Sequence, residues 1–140
     1  MTDTFQLQVA TPERLFVDEQ VNQAEIPGRE GYLGILPGHA PLLSALKPGV
    51  LTYSGGAGEH VLVVDGGFVE VFENHVRVLA EHAELAQDVK VDLARQQLEK
   101  ANEALKQAHE AAESARALEE AEKAQARIDA AARGSGQAAQ

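Results

Sequence analysis

The chain has 140 residues, a net charge of −10 and neither cysteine nor tryptophan. This length suits one domain with an appendage, or two very small domains. The lack of cysteine excludes disulfides and thiolate chemistry, and the excess of acidic residues argues against direct binding of nucleic acid or anionic lipid.

The N-terminus lacks the features of a signal peptide. Residues 1–9, MTDTFQLQV, have no basic start and no apolar stretch. No apolar run in the chain approaches the ~20 residues of a membrane span. We therefore expect a soluble cytosolic protein that could still sit beside a membrane through a partner.

The first ~85 residues alternate apolar and polar side chains with a period of two, which is typical of half-buried strands. Phe5, Leu7 and Val9, for example, alternate with glutamines. Frequent Pro-Gly and Gly-Gly pairs separate the segments and favour an antiparallel sandwich or barrel. The pattern predicts eight strands, near residues 5–11, 14–20, 22–27, 31–36, 49–54, 60–65, 67–73 and 75–81.

A Pro-Gly-His corner interrupts the strand pattern in residues 33–43, LGILPGHAPLL. Pro37 fixes its own φ and biases the residue before it towards extended geometry. Gly38 can adopt the positive φ of a type II turn. His39 follows the corner directly, so it is either a packed turn residue or a functional side chain on a rigid loop.

Residues 61–64, Val-Leu-Val-Val, are apolar on both faces and predict a central strand that is covered on both sides. The glycines just before them, in 55–58, lack the lysine of a phosphate-binding loop. We therefore interpret these glycines as a hairpin tip rather than as a nucleotide site.

The second half of the chain is helical in composition. Residues 89–133 contain no glycine or proline and are rich in strong helix formers. Asp88 and Asp92 lie near the predicted start, where acid favours the helix dipole, and Gly134 and Gly136 are predicted to end the helix. The domain boundaries that follow are a β domain at 1–87, a helical domain at 88–134 and a flexible tail at 135–140.

The apolar period of the helical half changes phase and indicates two antiparallel helices. Spacings of three and four run to Ala115, and the pattern resumes at Leu118 about one residue out of register. We predict a turn at 109–114, with Ser114 as a cap of the second helix. The predicted seam is mostly alanine, apart from Leu98, Leu105, Leu118 and Ile128.

Two behaviours of this hairpin fit the sequence. Burial of each alanine methyl contributes at most ~0.8 kcal/mol, so a seam of alanines could open. A continuous helix over 89–133 would reach about 67 Å, and nothing in the sequence forbids it. A static two-helix appendage and a length switch therefore both remain open.

No catalytic set is apparent in the sequence. The serines have no base partner that the sequence reveals, and the five histidines are scattered without an i, i+4 pair that could ligate a metal. We expect no catalytic residue, no metal site and no required cofactor.

The chain resembles the epsilon subunit of F-type ATP synthase over nearly its whole length. The segments that carry the resemblance are 7–15, 26–43 with its ILPGHAPLL core, 46–49, 64–71 and 76–81. The resemblance implies an N-terminal antiparallel β-sandwich of about eight strands followed by a C-terminal two-helix antiparallel hairpin. It also implies a non-catalytic rotor subunit at the cytoplasmic face of the bacterial cell membrane, which couples rotation to ATP synthesis and inhibits ATP hydrolysis through mobile helices.

The same resemblance implies partners and an interface. The expected partners are the gamma subunit, the ring of c subunits, and the alpha and beta catalytic subunits when the hairpin extends. Tyr32 stands where some family members carry an acid. The residues implied for the ring and gamma interface are Glu30, Gly31, Tyr32, Pro37, Gly38 and His39.

Two further sites are implied on the helices. Some bacterial members bind ATP as a regulatory ligand through an Ile/Leu-Asp-x-x-Arg-Ala motif. Here Asp92 and Arg95 match that motif, and Lys123 or Arg127 could supply a cation from the second helix. Arg116 forms roughly one stripe with Lys123 and Arg127, which could meet an acidic surface of the catalytic subunits. The plain interpretations are a helix-start acid, a surface arginine and a solvated face with pairs such as Glu119–Lys123.

Two other functions compete with this one. A stand-alone β-sandwich binding module with a coiled-coil dimerisation tail would form a stable dimer, whereas a rotor subunit on its own would be a monomer of 14.9 kDa. A small hydrolase is the weakest alternative, because the sequence shows no catalytic set.

Overall fold

The computed structural model describes residues 3–56 and 58–138, with side chains as far as Gly134. In this part of the chain eight strands precede two helices, which confirms the predicted fold class. The strands are β1 (Phe5–Ala10), β2 (Leu15–Val21), β3 (Gln23–Gly28), β4 (Gly31–Ile35), β5 (Leu42–Ala45), β6 (Gly49–Ser54), β7 (Glu59–Phe72) and β8 (His75–Leu85). A 3-10 turn (Ala86–Asp88) leads into α1 (Val91–Gln107) and α2 (Ala111–Ala138).

The sheet forms two layers because strand β7 changes partner at Gly66 and Gly67. Before these glycines β7 pairs with β6, and after them it pairs with β5. Strand β8 follows β7 on both sides of the bend. The first layer therefore continues from β6 to β3 and β4, while the second continues from β8 to β1 and β2. Strand β1 lies parallel to β8, and the other pairs are antiparallel.

The main core lies between the two layers and consists of the inward side chains of the alternating strands. In β1, for instance, Phe5, Leu7 and Val9 are buried and the residues between them are not. The largest fully buried side chains are Phe5, Leu7, Ile26, Ile35, Leu51 and Leu62. With little aromatic bulk, the core depends on branched aliphatic side chains packed from both layers.

A second, smaller core joins the helices to the sandwich. Val61 and Val63, on the outer face of β7, pack with Ala86, Ala126 and Ala130. Leu62 and Val64 face the main core. The prediction that residues 61–64 form a strand covered on both sides is confirmed, and α2 provides the second cover.

Two strand predictions were wrong. Residues 60–65 and 67–73 form the single strand β7, because Gly66 and Gly67 both take positive φ values, +70° and +97°, within the strand instead of forming a turn. Strand β5 was not predicted at all. Its four residues follow Pro41 without polar alternation, so the sequence offers no period to detect.

The hairpin is confirmed, but its details differ from the prediction. The break lies at 108–110 rather than at 109–114. Ser114 is therefore inside α2, where its N–H donates to the Glu110 carbonyl oxygen at 3.0 Å. Helix α2 continues through Gly134 to Ala138, past the predicted start of the tail at 135, and residues 139–140 lie outside the described residues.

Candidate interaction surfaces

The predicted interface residues occupy opposite ends of strand β4. Glu30, Gly31 and Tyr32 lie at its start, while the corner at 37–39 follows its end. The start lies close to the bend of β7, since Gly28 bridges to Leu46 and the Leu46 N–H donates to the Gly67 carbonyl oxygen. The corner instead lies at the far end of β7, roughly 17 Å of strand away. The structure thus does not bring the six residues into one site.

Tyr32 is tied into the fold by its hydroxyl. The Val50 N–H donates to Tyr32 Oη at 3.0 Å, which links β4 to the strand β6 that lies beyond β3. The Lys47 ammonium lies 5.6 Å from the ring centroid, within cation–π range. Only the exposed part of the ring is therefore available to a partner.

The Pro-Gly-His corner is a fixed turn. The His39 N–H donates to the Leu36 carbonyl oxygen at 3.1 Å, and Gly38 has a φ of +83°. The Gly38 N–H also donates to Asn74 Oδ1 at 2.7 Å, and Asn74 Nδ2 donates to the Thr4 carbonyl oxygen at 3.1 Å. The corner is thus attached to the β7–β8 turn and to the start of β1.

The outer face of the second layer carries an apolar row that the sequence analysis missed. The pairing register puts Leu79 between Ala10 and Phe68, with Leu15 beyond Ala10 on β2. Leu15, Leu79 and Phe68 are each half exposed, at 54%, 50% and 58%. We call this set of Leu15, Ala10, Leu79, Phe68 and Ala45 the apolar row. The sequence does carry a signal for this row: its residues are apolar at positions where the alternation of period two predicts an outward, polar side chain.

Polar contacts border the apolar row. Glu70 and Arg77 form an ion pair at 3.6 Å beside it, and Gln6 hydrogen-bonds Asp18 and Gln20 across β1 and β2. An apolar band with a polar edge is typical of a protein interface rather than of a packed core.

The hairpin meets the sandwich through charged side chains on α2. Arg127 Nε and Nη2 donate to the two carboxylate oxygens of Glu84 on β8, at 2.9 and 3.3 Å. Arg127 Nη1 donates to Gln97 Oε1 on α1 at 2.8 Å. Arg133 pairs with Glu59 at 2.7 Å. Arg127 therefore joins three elements, β8, α1 and α2.

Lys123 adds an ion pair to a more buried acid. Its Nζ lies 3.6 Å from Asp65 Oδ2, and Glu119 and Glu120 flank it on the helix. Burial raises the pKa of Asp65 even though Lys123 and His82 act to lower it. Burial lowers the pKa of Lys123, but the carboxylates outweigh burial and the pKa is raised. Ionised Asp65 thus loses more from desolvation than it gains from its partners.

The four residues predicted to bind ATP do not converge. Lys123 and Arg127 line a cavity of about 300 Å³ between hairpin and sandwich. Asp92 and Arg95 are not part of its lining, and they pair with each other at 3.7 Å with largely exposed side chains on α1. The predicted inhibitory stripe is divided as well, because Arg116 is exposed whereas Lys123 and Arg127 face sandwich carboxylates. Both sites stay predictions.

In the residues that the structure describes, no helix has the length and apolar character needed to cross a membrane. In the same residues, no group of three or more histidine or acidic side chains is arranged as a metal site.

Comparison with known sequences relates the chain to one family. The family model described as ATP synthase, Delta/Epsilon chain, beta-sandwich domain matches residues 4–86. A protein of Solibacter usitatus named ATP synthase epsilon chain is 52% identical over 101 residues, which are 72% of this chain and 75% of the relative. The protein of the same name from Nitratidesulfovibrio vulgaris is 45% identical over the same shares of both chains.

Solved structures share the fold. A chain of the Euglena gracilis mitochondrial ATP synthase, in an assembly titled OSCP/F1/c-ring, superposes with a TM-score of 0.79 at 22% identity, covering 89% of this chain and 79% of that one. A chain of the Tetrahymena thermophila mitochondrial ATP synthase central stalk and c-ring gives a TM-score of 0.68 at 18% identity, covering 90% and 95%. At these identities the likeness shows the fold alone.

Proposed function

The chain belongs to the ATP synthase epsilon chain family, a family of non-catalytic subunits, and from that membership we propose that it couples rotation to ATP synthesis in the rotor and restrains ATP hydrolysis. The observation that carries the proposal is the sequence match, which includes the sandwich and reaches 52% identity with a bacterial relative. The hairpin, docked on the sandwich through small side chains and a few ion pairs, supports the regulatory part.

The apolar row is the surface we assign to the gamma subunit. It lies on the outer face of the second layer, beside a cavity that Ala115 and Glu119 of α2 also line. Its half-exposed side chains would each gain from burial, at roughly 25 cal/mol per Å² of apolar surface. A partner on the row would therefore lie next to the docked hairpin.

The Pro-Gly-His corner is the surface we assign to the ring of c subunits. It is a closed turn, held internally by the His39–Leu36 hydrogen bond and tied to the β7–β8 turn by the Gly38 N–H, which donates to Asn74. Leu36 and Leu43 beside it are the most exposed large apolar side chains among the described residues, at 59% and 70%. Contact with a membrane-embedded ring would place the chain at the cytoplasmic face of the membrane through its partners.

The hairpin is the element we assign to inhibition of hydrolysis. Its attachment to the sandwich buries mainly alanine and valine, so that a modest free energy separates docked from undocked states. Once undocked, Lys123 and Arg127 would join Arg116 as exposed cations able to meet an acidic surface of the alpha and beta subunits.

Truncation tests this function. Removal of residues 88–140 leaves the main core intact, because that core contains no residue after Leu85. We expect the truncated chain to assemble with the synthase and to raise ATP hydrolysis by the complex relative to the full chain. Normal assembly with unchanged hydrolysis would remove the inhibitory role, and failure to assemble despite a folded sandwich would contradict the placement of gamma and ring contacts there.

ATP is the regulatory ligand that fits this function. The cavity beside Lys123 and Arg127 is lined by Asp65, Glu84 and Glu120 as well as by these two cations and Gln97. A triphosphate would have to replace Asp65 and Glu84 as partners of the cations, and Arg95 would have to reach it from outside the lining. Calorimetric titration of ATP into the wild type and Arg95→Ala tests the proposal. Binding that Arg95→Ala weakens supports it, and a wild type without heat of binding excludes it.

A further inference from the structure

The attachment of the hairpin has little apolar surface to rely on. On the helix side it buries Ala126 and Ala130 against Val61, Val63 and the short side chain of Ala86. Burial of an alanine methyl contributes at most about 0.8 kcal/mol, and undocking would also restore freedom to the helices. Polar contacts must therefore contribute a large part of the free-energy difference between the docked and the undocked hairpin.

Among the side chains that the structure describes, three ion pairs join α2 to the sandwich, and they are not equivalent. In the Lys123–Asp65 pair a single ammonium faces the carboxylate at 3.6 Å without a bidentate contact, and the carboxylate side chain is only 17% exposed, so desolvation offsets much of the attraction. The Arg133–Glu59 pair is more exposed and is screened by solvent. The Arg127–Glu84 pair combines partial burial with two parallel N–H···O bonds, the geometry that makes arginine–carboxylate pairs strong.

Arg127 also reaches a third element. Its remaining guanidinium nitrogen donates to Gln97 Oε1 on α1, so one side chain fixes the angle between the helices as well as their position on β8. A lysine could not supply this fork of donors. Release of Glu84 would therefore loosen both the docking of the hairpin and its internal packing.

We propose that Arg127, Glu84 and Gln97 form a three-way electrostatic latch that sets how often the hairpin leaves the sandwich. The latch rests on the proposed function only in treating the hairpin as a mobile element. Because its groups remain partly exposed, added salt weakens the latch. Docking is thus sensitive to ionic strength, and the main core of the sandwich is not.

A single thiol can report undocking in the full chain. The natural sequence has no cysteine, and Ala130 is fully buried in the core between hairpin and sandwich. In an Ala130→Cys chain, the rate of reaction with a thiol reagent is proportional to the undocked population when closing is fast. Val9→Cys, in the main core, reports opening of the sandwich instead.

On the Ala130→Cys background, we expect Arg127→Gln and Glu84→Gln each to raise the labelling rate about tenfold. The double variant should be no faster than the faster single variant, because either change breaks the same latch. Asp65→Asn should change the rate less than about threefold, and Arg116→Gln, which removes an exposed charge from the same helix, should leave it unchanged. Raising salt from about 0.05 M to about 0.5 M should speed labelling of the wild-type chain but not of Arg127→Gln.

Labelling of Arg127→Gln within about twofold of the wild type would overturn the latch, as would single effects that multiply in the double variant. Faster labelling at Val9→Cys in the same variants would also overturn it, because the pair would then support the sandwich rather than docking. Hydrolysis plays no part in this measurement. If the labelling results contradict the latch but truncation raises ATP hydrolysis, the proposed function stands without the latch. If truncation leaves hydrolysis unchanged but the labelling results are as expected, the latch stands without the inhibitory role.

Discussion

The hydroxyl of Tyr32 illustrates how one side chain departs from its expected role. The resemblance places this position at an interface, but the hydroxyl accepts the Val50 N–H, and Gly49 leaves the space that the hydroxyl occupies. Tyr32 therefore stabilises the packing of β4 near β6 and also presents part of its ring at the surface.

Tyr32→Phe tests this contribution. The change leaves the Val50 N–H without its partner, so we expect the free energy of unfolding to fall by about 1 kcal/mol. Chemical denaturation monitored by circular dichroism measures it. Tyr53→Phe is the matched control, since that hydroxyl makes no hydrogen bond to any described residue, and equal losses in both variants would contradict the interpretation.

Asp65 should give stability an unusual pH dependence. Its native pKa is raised above the ordinary 3.8 by burial, so the native state holds the proton more tightly than the unfolded chain. Its contribution to stability is complete below pH 3.8 and is lost as the pH rises through the raised native value. At neutral pH, Asp65→Asn should therefore be at least as stable as the wild type.

Denaturation midpoints at several pH values between about 3 and 7 measure this contribution. The stability of the wild type minus that of Asp65→Asn should decrease as the pH rises. Asp88→Asn, at an exposed acid, is the control. A variant clearly less stable than the wild type at pH 7 would show that the Lys123 pair outweighs burial.

At the scale of elements, the bend of β7 decides the architecture. Gly67 has a φ of +97°, and a Cβ there would overlap the carbonyl oxygen of Leu79 on β8. The strand can change partner from β6 to β5 only if the backbones approach this closely. Without the bend the sheet could not fold over its own core.

Gly67→Ala should therefore be severely destabilising. Strain at positive φ and displacement of β8 together cost at least about 2 kcal/mol. Gly34→Ala provides the control, because a Cβ at Gly34 meets nothing within 4 Å. Thermal melts of both variants measure the difference, and similar melting temperatures would contradict the role of the bend.

The strands were predictable where one face is buried and the other is not. Phe5, Leu7 and Val9 alternate with polar residues because β1 packs on one side only. The bend of β7 was not predictable, since Gly-Gly is equally typical of a turn and only the partner strands distinguish the two. Strand β5 is held by pairing with distant residues, which no local pattern records.

The helices were predictable as helices, but not their buried faces. An alanine side chain gains little free energy from burial and costs little when exposed. A sequence rich in alanine therefore does not show which face of a helix is buried. Leu118 was predicted in the seam and is half exposed, while Ala117 and Ala124 are buried. Asp65 and Glu84, the sandwich acids that pair with Lys123 and Arg127, lie 58 and 43 residues away along the chain. Sequence spacing therefore identified the cations without their partners.

At the scale of the molecule, the two layers present separate surfaces. Val61 and Val63 on the first half of β7 receive the hairpin, whereas Phe68 on the second half belongs to the apolar row. The two surfaces lie on opposite sides of the bend at Gly66 and Gly67, and α2 borders both, since Ala115 and Glu119 line a cavity with Phe68.

Phe68→Glu tests the apolar row. The side chain is 58% exposed, so the isolated fold should keep its melting temperature within a few degrees, while affinity for the gamma subunit should fall at least tenfold. Leu118→Glu, at a similarly exposed leucine on the hairpin, is the control and should bind gamma as the wild type does. Unchanged binding by Phe68→Glu would place the gamma contact elsewhere.

The parallel pairing of β1 with β8 has a consequence for biosynthesis. The first strand lies beside one that begins about 70 residues later, and Asn74 closes that join by donating to Thr4. Until β8 leaves the ribosome, β1 has only its hairpin with β2, and such a pair is marginally stable alone. At about 5–20 residues per second, the nascent chain waits several seconds before the sandwich can close. Helices α1 and α2 are synthesised after β8, so they can pack directly against a folded sandwich.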